Sequence, residues 1–303
     1  MSGYGSQTIS AVMVSLRFLL LLMVRGSFIL SLRSLEKYGV SIYSSKLAEK
    51  LSCEIKHGGA AITEEAGLIL QENEDDGAIE LAWGIKSGLR EVPFRIDFAS
   101  ATSKQRAKLA KSELVSRAIG SKTSHVIDLT AGLGRDSFIL ASSGYNVCLI
   151  ERNPVMFYLL SDAIQRLRST KPEVAARMNL FERDSKETFS LSDLNIELKE
   201  GNAVSVYLDP MYEGNVVGKR SNVKKETAML HRLVSDDSDG MEQSNILLFE
   251  SAKRLSTCRI IVKRAGKAGA LANAKPHEAI EGSTHRFDIY FQNRSILDAV
   301  VLT

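Results

Sequence analysis

Short apolar runs alternate with helical patterns through most of the chain beyond residue 120. Residues 126–127, 146–150, 203–208 and 259–262 are apolar and β-rich, as buried strands of a parallel sheet are. Between them, 135–143, 153–168 and 241–255 have the spacing of amphipathic helices, and Asn153 before Pro154 is a good helix start. Strands that alternate with helices predict a three-layer α/β sandwich.

Weaker patterns predict the remaining elements. Residues 179–184 form a short third strand, 223–234 a further helix, and 286–290 with 296–302 a terminal antiparallel pair. Short alternating runs at 67–71 and 78–86 flank an acidic turn and predict a small N-terminal α/β or hairpin domain. A basic helix at 104–119 is expected to join that domain to the larger sheet.

A glycine turn follows the first strand of the larger sheet. Asp128 closes the strand, and Gly132 and Gly134 let the backbone approach a ligand closely before the next helix begins. Glu151 ends the following strand, where its carboxylate can accept both hydroxyls of a ribose. This order of elements predicts a pocket for an adenosine-containing cofactor. Ser137 stands where a dinucleotide fingerprint has its third glycine, which makes a nicotinamide cofactor, and with it an oxidoreductase, less favoured.

A second motif lies at the end of the strand at 203–208. There the apolar run breaks into Asp209, Pro210, Met211 and Tyr212. The Asp209 carboxylate and the Pro210 carbonyl can accept the two N–H groups of an exocyclic nucleobase amine, and Tyr212 offers a face on which the base can stack. Since strand ends of an open α/β sheet meet at one crevice, the motif is expected to face the glycine turn.

With both motifs in place, the chain resembles the ribosomal RNA small subunit methyltransferase J family. The similarity covers roughly residues 96–290 and rests on six ordered segments: DLTAGLGRD (128–136), LIERNPV (149–155), VYLDPMY (206–212), VKKE (223–226), IIVKR (260–264) and HRFDIY (285–290). Where the family has phenylalanine and proline after DPM, this chain has Tyr212 and Glu213. Tyrosine keeps the aromatic face, and Glu213 adds a negative charge.

The resemblance implies a Rossmann-like class I methyltransferase that uses S-adenosylmethionine to methylate guanine N2 in 16S rRNA. It also implies a set of residues that line the cofactor site: Arg135, Asp136, Glu151, Arg152, Asp184, Ser185 and Asp209. From its position at a strand end, Asp184 can also reach the adenine amine of the cofactor. Catalysis is expected from Asp209, Pro210 and Tyr212 by direct methyl transfer, with the target amine held in line.

Charge is informative only locally, because the formal net charge of the 303-residue chain is +3. Basic residues cluster after predicted strand ends, on the side where the pocket should open, and such clusters release counterions when they neutralise phosphates. His285 and Arg286 belong to the HRFDIY segment, where His285 can approach RNA or serve packing. The residues expected to bind RNA are Lys219, Arg220, Lys224, Lys225, Lys263, Arg264, His285 and Arg286.

Cysteine and histidine spacing predicts no metal site. The three cysteines, Cys53, Cys148 and Cys258, never form a CxxC pair, which fits a reducing compartment, and we expect a cytoplasmic protein. The apolar stretch 11–24 contains Arg17 and is short for a membrane span, so no stable membrane partner is expected. The expected domains are an apolar extension at 1–34, a small domain at 35–95 and the methyltransferase domain at 96–303.

The sequence leaves two further functions open beside 16S rRNA guanine-N2 methylation. An adenine-N6 DNA methyltransferase uses a similar acid-proline-aromatic loop. A non-catalytic ribosome assembly factor would bind the small subunit or its RNA without the cofactor, and the joint presence of Asp209 and Glu151 argues against it.

Overall fold

The computed structural model describes residues 40–42, 68–73, 75–83, 93–197, 199, 202–210 and 240–292. Several sequence predictions therefore concern segments outside the described residues. These are the apolar extension 1–34, the helix at 223–234, the strand at 296–302, and the side chains of Tyr212, Lys219, Arg220, Lys224 and Lys225.

A small sheet of three strands precedes the larger one. Its strands are β1 (Val40–Ile42), β2 (Leu68–Glu72) and β3 (Ile79–Trp83). β2 lies in the middle, parallel to β1 and antiparallel to β3. The backbone N–H of Ile79 donates to the carboxylate of Asp162 at 3.2 Å, and Leu81 forms a β-bridge with Phe94. These bonds join the strand β3 to the rest of the molecule.

The larger sheet has seven strands and forms the centre of the fold. They are β4 (His125–Asp128), β5 (Asn146–Glu151), β6 (Met178–Glu182), β7 (Val204–Leu208), β8 (Arg259–Ala265), β9 (Glu278–Glu281) and β10 (His285–Phe291). Their spatial order is β6-β5-β4-β7-β8-β10-β9. The first five in that order run parallel, and β10 is antiparallel to both of its neighbours.

The strand order reverses at β4, which has β5 on one side and β7 on the other. In open α/β sheets a ligand crevice lies at such a reversal, beyond the carboxyl ends of the strands. The side chains that follow β4, β5 and β7 therefore share this crevice.

Helices cover both faces of the sheet. They are α1 (Ala101–Lys108), α2 (Leu114–Ile119), α3 (Arg135–Ser143), α4 (Pro154–Thr170), α5 (Pro172–Ala175) and α6 (Met241–Leu255). Buried side chains of α2, α3 and α4 form one apolar core with the sheet, and those of α6 form a second core on the opposite face. The predicted three-layer α/β sandwich is confirmed.

Helix α4 begins as its sequence predicts. Asn153 accepts hydrogen bonds from the backbone N–H groups of Val155 and Met156 at 3.0 and 3.1 Å, and Pro154 occupies the first helical turn. Eight residues of α4 are buried, at the helical spacing that the sequence displays. This well-capped helix forms the wall behind the glycine turn.

Two sequence predictions of secondary structure are wrong. The basic helix expected at 104–119 is broken into α1, a 3-10 turn at Ala110–Ser112, and α2. The Ser112 hydroxyl donates to the Leu109 carbonyl at 2.8 Å, and Glu113 adopts extended backbone angles, so the helix ends there. The pairing predicted for 286–290 is also wrong, because β8 and β9 occupy the two sides of β10. Its predicted partner at 296–302 lies outside the described residues.

Within the described part of the chain, no helix is both long enough and apolar enough to cross a membrane.

Replacement of Gly134 by alanine tests the packing of the glycine turn against α4. Gly134 has a φ of +64°, and a Cβ there would lie 2.6 Å from Leu160 Cδ1 and 3.3 Å from Phe98 Cζ. Gly134→Ala should therefore lower the free energy of unfolding by about 1 to 3 kcal/mol, measured by chemical denaturation. Gly269→Ala is the control, because its Cβ would meet nothing within 4 Å. Equal stability of the two variants would contradict this account of the turn.

Candidate active site

Acidic side chains collect at the carboxyl edge of the sheet, where the strand order reverses. Asp128 is the last residue of β4, Glu151 is the last residue of β5, and Asp209 directly follows β7. Asp136 lies in the first turn of α3, which begins at the same edge. The sequence prediction that the two motifs share one crevice agrees with this arrangement.

The glycine turn places backbone donors on the Glu151 carboxylate. The N–H of Gly132 donates to one carboxylate oxygen, and the N–H of Asn153 donates to the other, both at 2.8 Å. Burial raises the pKa of Glu151, and these two bonds act against that rise. Each carboxylate oxygen can accept more than one hydrogen bond, so Glu151 is held in place with acceptor capacity left for hydroxyl groups.

Asp128 is tied into the turn itself. Its carboxylate accepts from the backbone N–H of Thr130 at 3.0 Å and from the Ser137 hydroxyl at 2.6 Å, and only 2% of the residue is exposed. Burial raises the pKa of Asp128 to about 7. These contacts explain how Asp128 shapes the turn, while its expected contact with the cofactor stays a prediction.

Ser137 has a role that the sequence analysis missed. It replaces the third glycine of the dinucleotide pattern, is fully buried in α3, and fixes the Asp128 carboxylate with its hydroxyl. A serine followed by an apolar helix looks like ordinary packing in the sequence, and the only available signal was the departure from the glycine pattern.

Asp136 and Asp209 share one cation. Lys263 Nζ donates to Asp136 Oδ2 at 2.8 Å and to Asp209 Oδ2 at 2.9 Å. The Tyr207 hydroxyl donates to the same oxygen of Asp136 at 2.7 Å, and Arg106 donates to the other at 3.2 Å. This group of five side chains links β7, β8, α1 and α3 at the reversal point.

The pKa values within this group diverge. Burial opposes ionisation of Asp136, but Lys263, Tyr207 and Arg106 together lower its pKa to about 2. Burial raises the pKa of Asp209, with Lys263 lowering it and the charge of Asp136 raising it. Although burial opposes it, the two carboxylates raise the pKa of Lys263. Lys263 and Asp136 are therefore firmly charged, whereas the charge of Asp209 depends on its surroundings.

Thr130 connects the glycine turn to the second motif. Its hydroxyl accepts the backbone N–H of Asp209 at 2.7 Å. Pro210, the next residue, is buried and follows in the same segment. The bond fixes the position at which the Asp209 backbone leaves β7, and no local pattern in the sequence pointed to it.

The other cofactor residues implied by the resemblance lie at the same edge. Arg152 forms an ion pair with Asp184 at 3.6 Å, and Asp184 accepts the backbone N–H of Lys186 at 2.9 Å. Ser185 is half-buried beside Asp184, and Arg135 is exposed at the start of α3. Asp184 lies two residues beyond β6, the neighbour of the strand that carries Glu151.

Glu182 is an acid of this edge that the sequence analysis did not select. It pairs with Glu151 across β5 and β6, and burial raises its pKa. Its Oε2 atom is buried and has no hydrogen-bond partner among the residues described. The sequence signal that could have found it is its place near the end of the strand predicted at 179–184.

Three of the predicted RNA-binding side chains are engaged inside the protein. Lys263 binds the two aspartates, and Arg264, which is 8% exposed, donates to the Gly269 carbonyl at 2.8 Å. Arg286 forms an ion pair with the buried Asp288 at 2.7 Å and also donates to backbone carbonyls. These contacts hold the three cationic groups against the fold and the pocket, and their expected binding to RNA stays a prediction.

His285 lies at the pocket side of β10. Its ring packs edge-on against Phe287 with centroids 5.2 Å apart, and its Nδ1 atom is 3.1 Å from the Thr284 hydroxyl. Burial and the nearby Lys263 lower its pKa, against the opposing effect of Asp136 and Asp209. Both interpretations of His285 from the sequence, a packing role and an approach to a base, are compatible with this position.

The donors and acceptors of this edge fit S-adenosylmethionine. Glu151 is a fixed acceptor at this edge, and the backbone N–H groups of the first turn of α3 lie at the same edge. Gly132 has a φ of +50°, and a Cβ there would meet nothing closer than 3.8 Å, so the turn has room beside it. Across the described ranges, no group of three acidic, histidine or cysteine residues could hold a metal ion.

Comparison with known proteins identifies related families. The family model of SAM-dependent methyltransferases (SAM_MT) matches residues 55–292. The ribosomal RNA small subunit methyltransferase J of Alteromonas mediterranea is 39% identical over 204 residues, covering 66% of this chain and 74% of the relative. The protein of the same name from Mannheimia succiniciproducens is 38% identical over 231 residues, covering 75% and 87% respectively.

A solved structure shows the same fold. The crystal structure of a SAM-dependent methyltransferase from Neisseria gonorrhoeae superimposes with a TM-score of 0.59 at 27% sequence identity. The match covers 84% of this chain and 96% of that one. The seven-stranded sheet and its helices are therefore those of a class I methyltransferase.

The buried Asp128 should leave a signature in the pH dependence of stability. Its pKa in the fold, about 7, lies above its ordinary value of 3.8, so folding favours the protonated form. The stability that Asp128 contributes is present below about pH 4 and is lost as the pH rises through 7. Unfolding free energies of the wild type and Asp128→Asn should therefore diverge in favour of the variant between pH 4 and pH 8. A difference that stays constant across this range would contradict the assignment.

Proposed function

The chain belongs to the family of S-adenosylmethionine-dependent methyltransferases, and we propose that it methylates the exocyclic N2 amine of a guanine in 16S rRNA. The relatives named ribosomal RNA small subunit methyltransferase J support the small-subunit rRNA as substrate. The choice of guanine N2 rests on the resemblance of the VYLDPMY and HRFDIY segments to that family. The cofactor is S-adenosylmethionine.

One observation carries the chemical part of the proposal. The Asp209 carboxylate and the glycine turn lie at one reversal point of the sheet, and the Thr130 hydroxyl joins them by accepting the Asp209 N–H at 2.7 Å. A cofactor bound against Glu151 and a base amine bound against Asp209 would then share one crevice. Direct transfer of a methyl group requires this proximity.

S-adenosylmethionine supplies an electrophilic methyl group, and the residues of the chain orient the nucleophile. The lone pair of a guanine amine is delocalised into the ring, so the amine must be turned and held in line with the methyl group. Asp209 and the Pro210 carbonyl serve as acceptors for its two N–H groups. Tyr212 supplies the stacking face. A fixed orientation of this kind lowers the barrier by up to several kcal/mol, on the order of the effective-molarity gains known for oriented reactants.

RNA binding is assigned to basic residues. Lys219, Arg220, Lys224 and Lys225 follow the DPMY motif in the chain and are the lysines and arginines that we assign to phosphates. His285 is placed to approach the base. If the target guanine is paired, it must first be extruded, which costs about a few kcal/mol. A small-subunit substrate puts the enzyme in the cytoplasm, where ribosomes are assembled.

Asp209→Asn tests the role of the carboxylate in methyl transfer. The amide is nearly isosteric but offers one acceptor oxygen and no charge, so kcat on 16S rRNA should fall by roughly tenfold or more. Binding of S-adenosylmethionine, measured by calorimetry, should change much less. Asp75→Asn, in the exposed turn between β2 and β3, is the matched control and should keep the wild-type rate.

The product identifies the function itself. Wild-type enzyme is incubated with labelled S-adenosylmethionine and either rRNA, small subunits or DNA, and the nucleosides are separated by mass spectrometry. The label is expected in N2-methylguanosine from 16S rRNA. Label in N6-methyladenine from DNA would replace the proposal by the adenine methyltransferase alternative. Binding of RNA without any labelled product would favour an assembly factor.

Glu151→Ala tests the cofactor pocket separately from the chemistry. Loss of a charged acceptor for the ribose hydroxyls should weaken S-adenosylmethionine binding by about 1.5 to 3 kcal/mol. Glu242→Ala, an exposed acid at the start of α6, should leave the affinity unchanged. Because Glu151 also accepts two backbone N–H groups, thermal unfolding of both variants shows whether the turn itself is intact. An unaltered Kd in a folded variant would reject the ribose assignment.

A further inference from the structure

Lys263 occupies an unusual place for a basic residue of β8. The strand lies between β7 and β10, and Lys263 stands opposite Phe287 in the register with β10. Its side chain is 25% exposed, and Nζ lies within 2.9 Å of carboxylates from two different elements. A lysine on an exposed strand edge keeps its hydration and loses little free energy on folding. Lys263 is instead held between two carboxylates in the crevice.

The carboxylates that Lys263 joins are held differently. Asp136 has additional donors in Tyr207 and Arg106, and Arg106 is itself fixed by a two-bond ion pair with Glu113. Asp209 has no such support: within the described part of the chain, Lys263 is the only side chain that donates to its carboxylate. Asp136 thus anchors Lys263, and Lys263 in turn sets the position of Asp209.

The geometry leaves one oxygen of Asp209 for a substrate. Lys263 binds Oδ2, and among the residues described Oδ1 accepts no hydrogen bond. The Asp209 side chain is 38% exposed, so a ligand in the crevice can reach the carboxylate. Because Lys263 donates to Oδ2, a proton on the carboxyl group would sit on Oδ1 and present a donor there, so Oδ1 accepts an amine N–H when Asp209 is ionised.

We propose that Lys263 is a positioning residue for methyl transfer, which keeps Asp209 ionised and directs its Oδ1 atom towards the target amine. This inference rests on the proposed function of Asp209. Lys263 does not touch the base or the methyl group. It acts through the carboxylate, and through Asp136 it ties the second motif to the first turn of α3.

The charge balance around Asp209 explains why a cation is needed. Asp136 from α3 and Asp128 from β4 are acids near it, while Lys263 from β8 and His285 from β10 are the basic groups that face it. Burial and the neighbouring carboxylate raise the pKa of Asp209, and Lys263 is the largest opposing influence. His285 also lowers the pKa of Asp209, by less than Lys263 does. Removal of the lysine charge therefore leaves burial and repulsion opposed only by the weaker effect of His285.

The sign of the pH effect follows from these contacts. Activity that needs ionised Asp209 is present above its pKa and is lost as the pH falls through it. Without Lys263 that pKa rises further, so the loss of activity must move to higher pH. A lysine that only stabilised the fold would change the rate at all pH values without moving the midpoint of this limb.

The pH profile of kcat is measured for the wild type, Lys263→Met, Lys263→Arg and the control Lys199→Met. Lys263→Met should lower kcat near neutral pH roughly tenfold and shift the acid limb upwards by about one unit, which is a tenfold change in proton affinity. Arginine keeps the charge and should restore the wild-type midpoint. Lys199 is 74% exposed outside the crevice, and its variant should match the wild type. An acid limb that stays in place in Lys263→Met overturns the proposal.

A carboxyl titration gives a second readout that needs no RNA. In protein with 13C-labelled aspartate, the NMR signal of Asp209 should titrate at higher pH in Lys263→Met than in the wild type. If Lys263→Met does not fold, Asp136→Asn/Lys263→Met removes the unpaired charge, and its Asp209 midpoint is compared with that of Asp136→Asn, in which the same repulsion is absent. An unchanged Asp209 midpoint refutes the role of Lys263. A wild type that methylates no rRNA would refute the proposed function alone, because the titration still decides the role of the lysine.

Discussion

The crowding of acids at one edge of the sheet is the constraint on which the rest of the structure depends. Asp128, Asp136, Glu151 and Asp209 all lie where the carboxyl ends of β4, β5 and β7 meet. Like charges in a half-buried crevice repel one another and lose hydration, so each needs its own partners. A cationic cofactor and a base amine are the ligands that such an edge can attract.

The molecule satisfies each acid in a different way. Asp128 is paired with a hydroxyl and a backbone N–H, and burial raises its pKa to about 7. Glu151 has two backbone donors from the loops beside it. Asp136 and Asp209 share Lys263. The acids therefore differ in burial and in their partners. The buried Asp128 shapes the turn, and the more exposed Asp209 is accessible to a ligand.

Local sequence patterns were sufficient to predict most of the architecture. Strands β4, β5 and β7 are short apolar runs, and α4 carries both a good cap and a clear helical period, so these elements can be recognised from the local sequence alone. The glycine turn, Glu151 and Asp209 were found because strand ends of a parallel sheet must meet. By contrast, β9 is a four-residue edge strand with two glutamates and had no alternating pattern to reveal it.

The contacts that complete the site could not be predicted in this way. Lys263 lies 127 residues from Asp136 and 54 from Asp209, so its place between them depends on the folded sheet and not on spacing in the chain. In the sequence, the same lysine and the neighbouring Arg264 looked like a basic patch for RNA. Ser137 and Thr130 are similar cases. Their roles depend on the acceptor or donor that the fold places beside each hydroxyl, and the local sequence does not reveal that partner.

A crystal structure of the protein with S-adenosylhomocysteine tests the central claim most directly. The account predicts that both ribose hydroxyls donate to Glu151 and that the sulfur faces the Asp209 side of the crevice, between the ends of β4 and β7. A ligand bound away from Glu151, or with its sulfur directed away from Asp209, would contradict it.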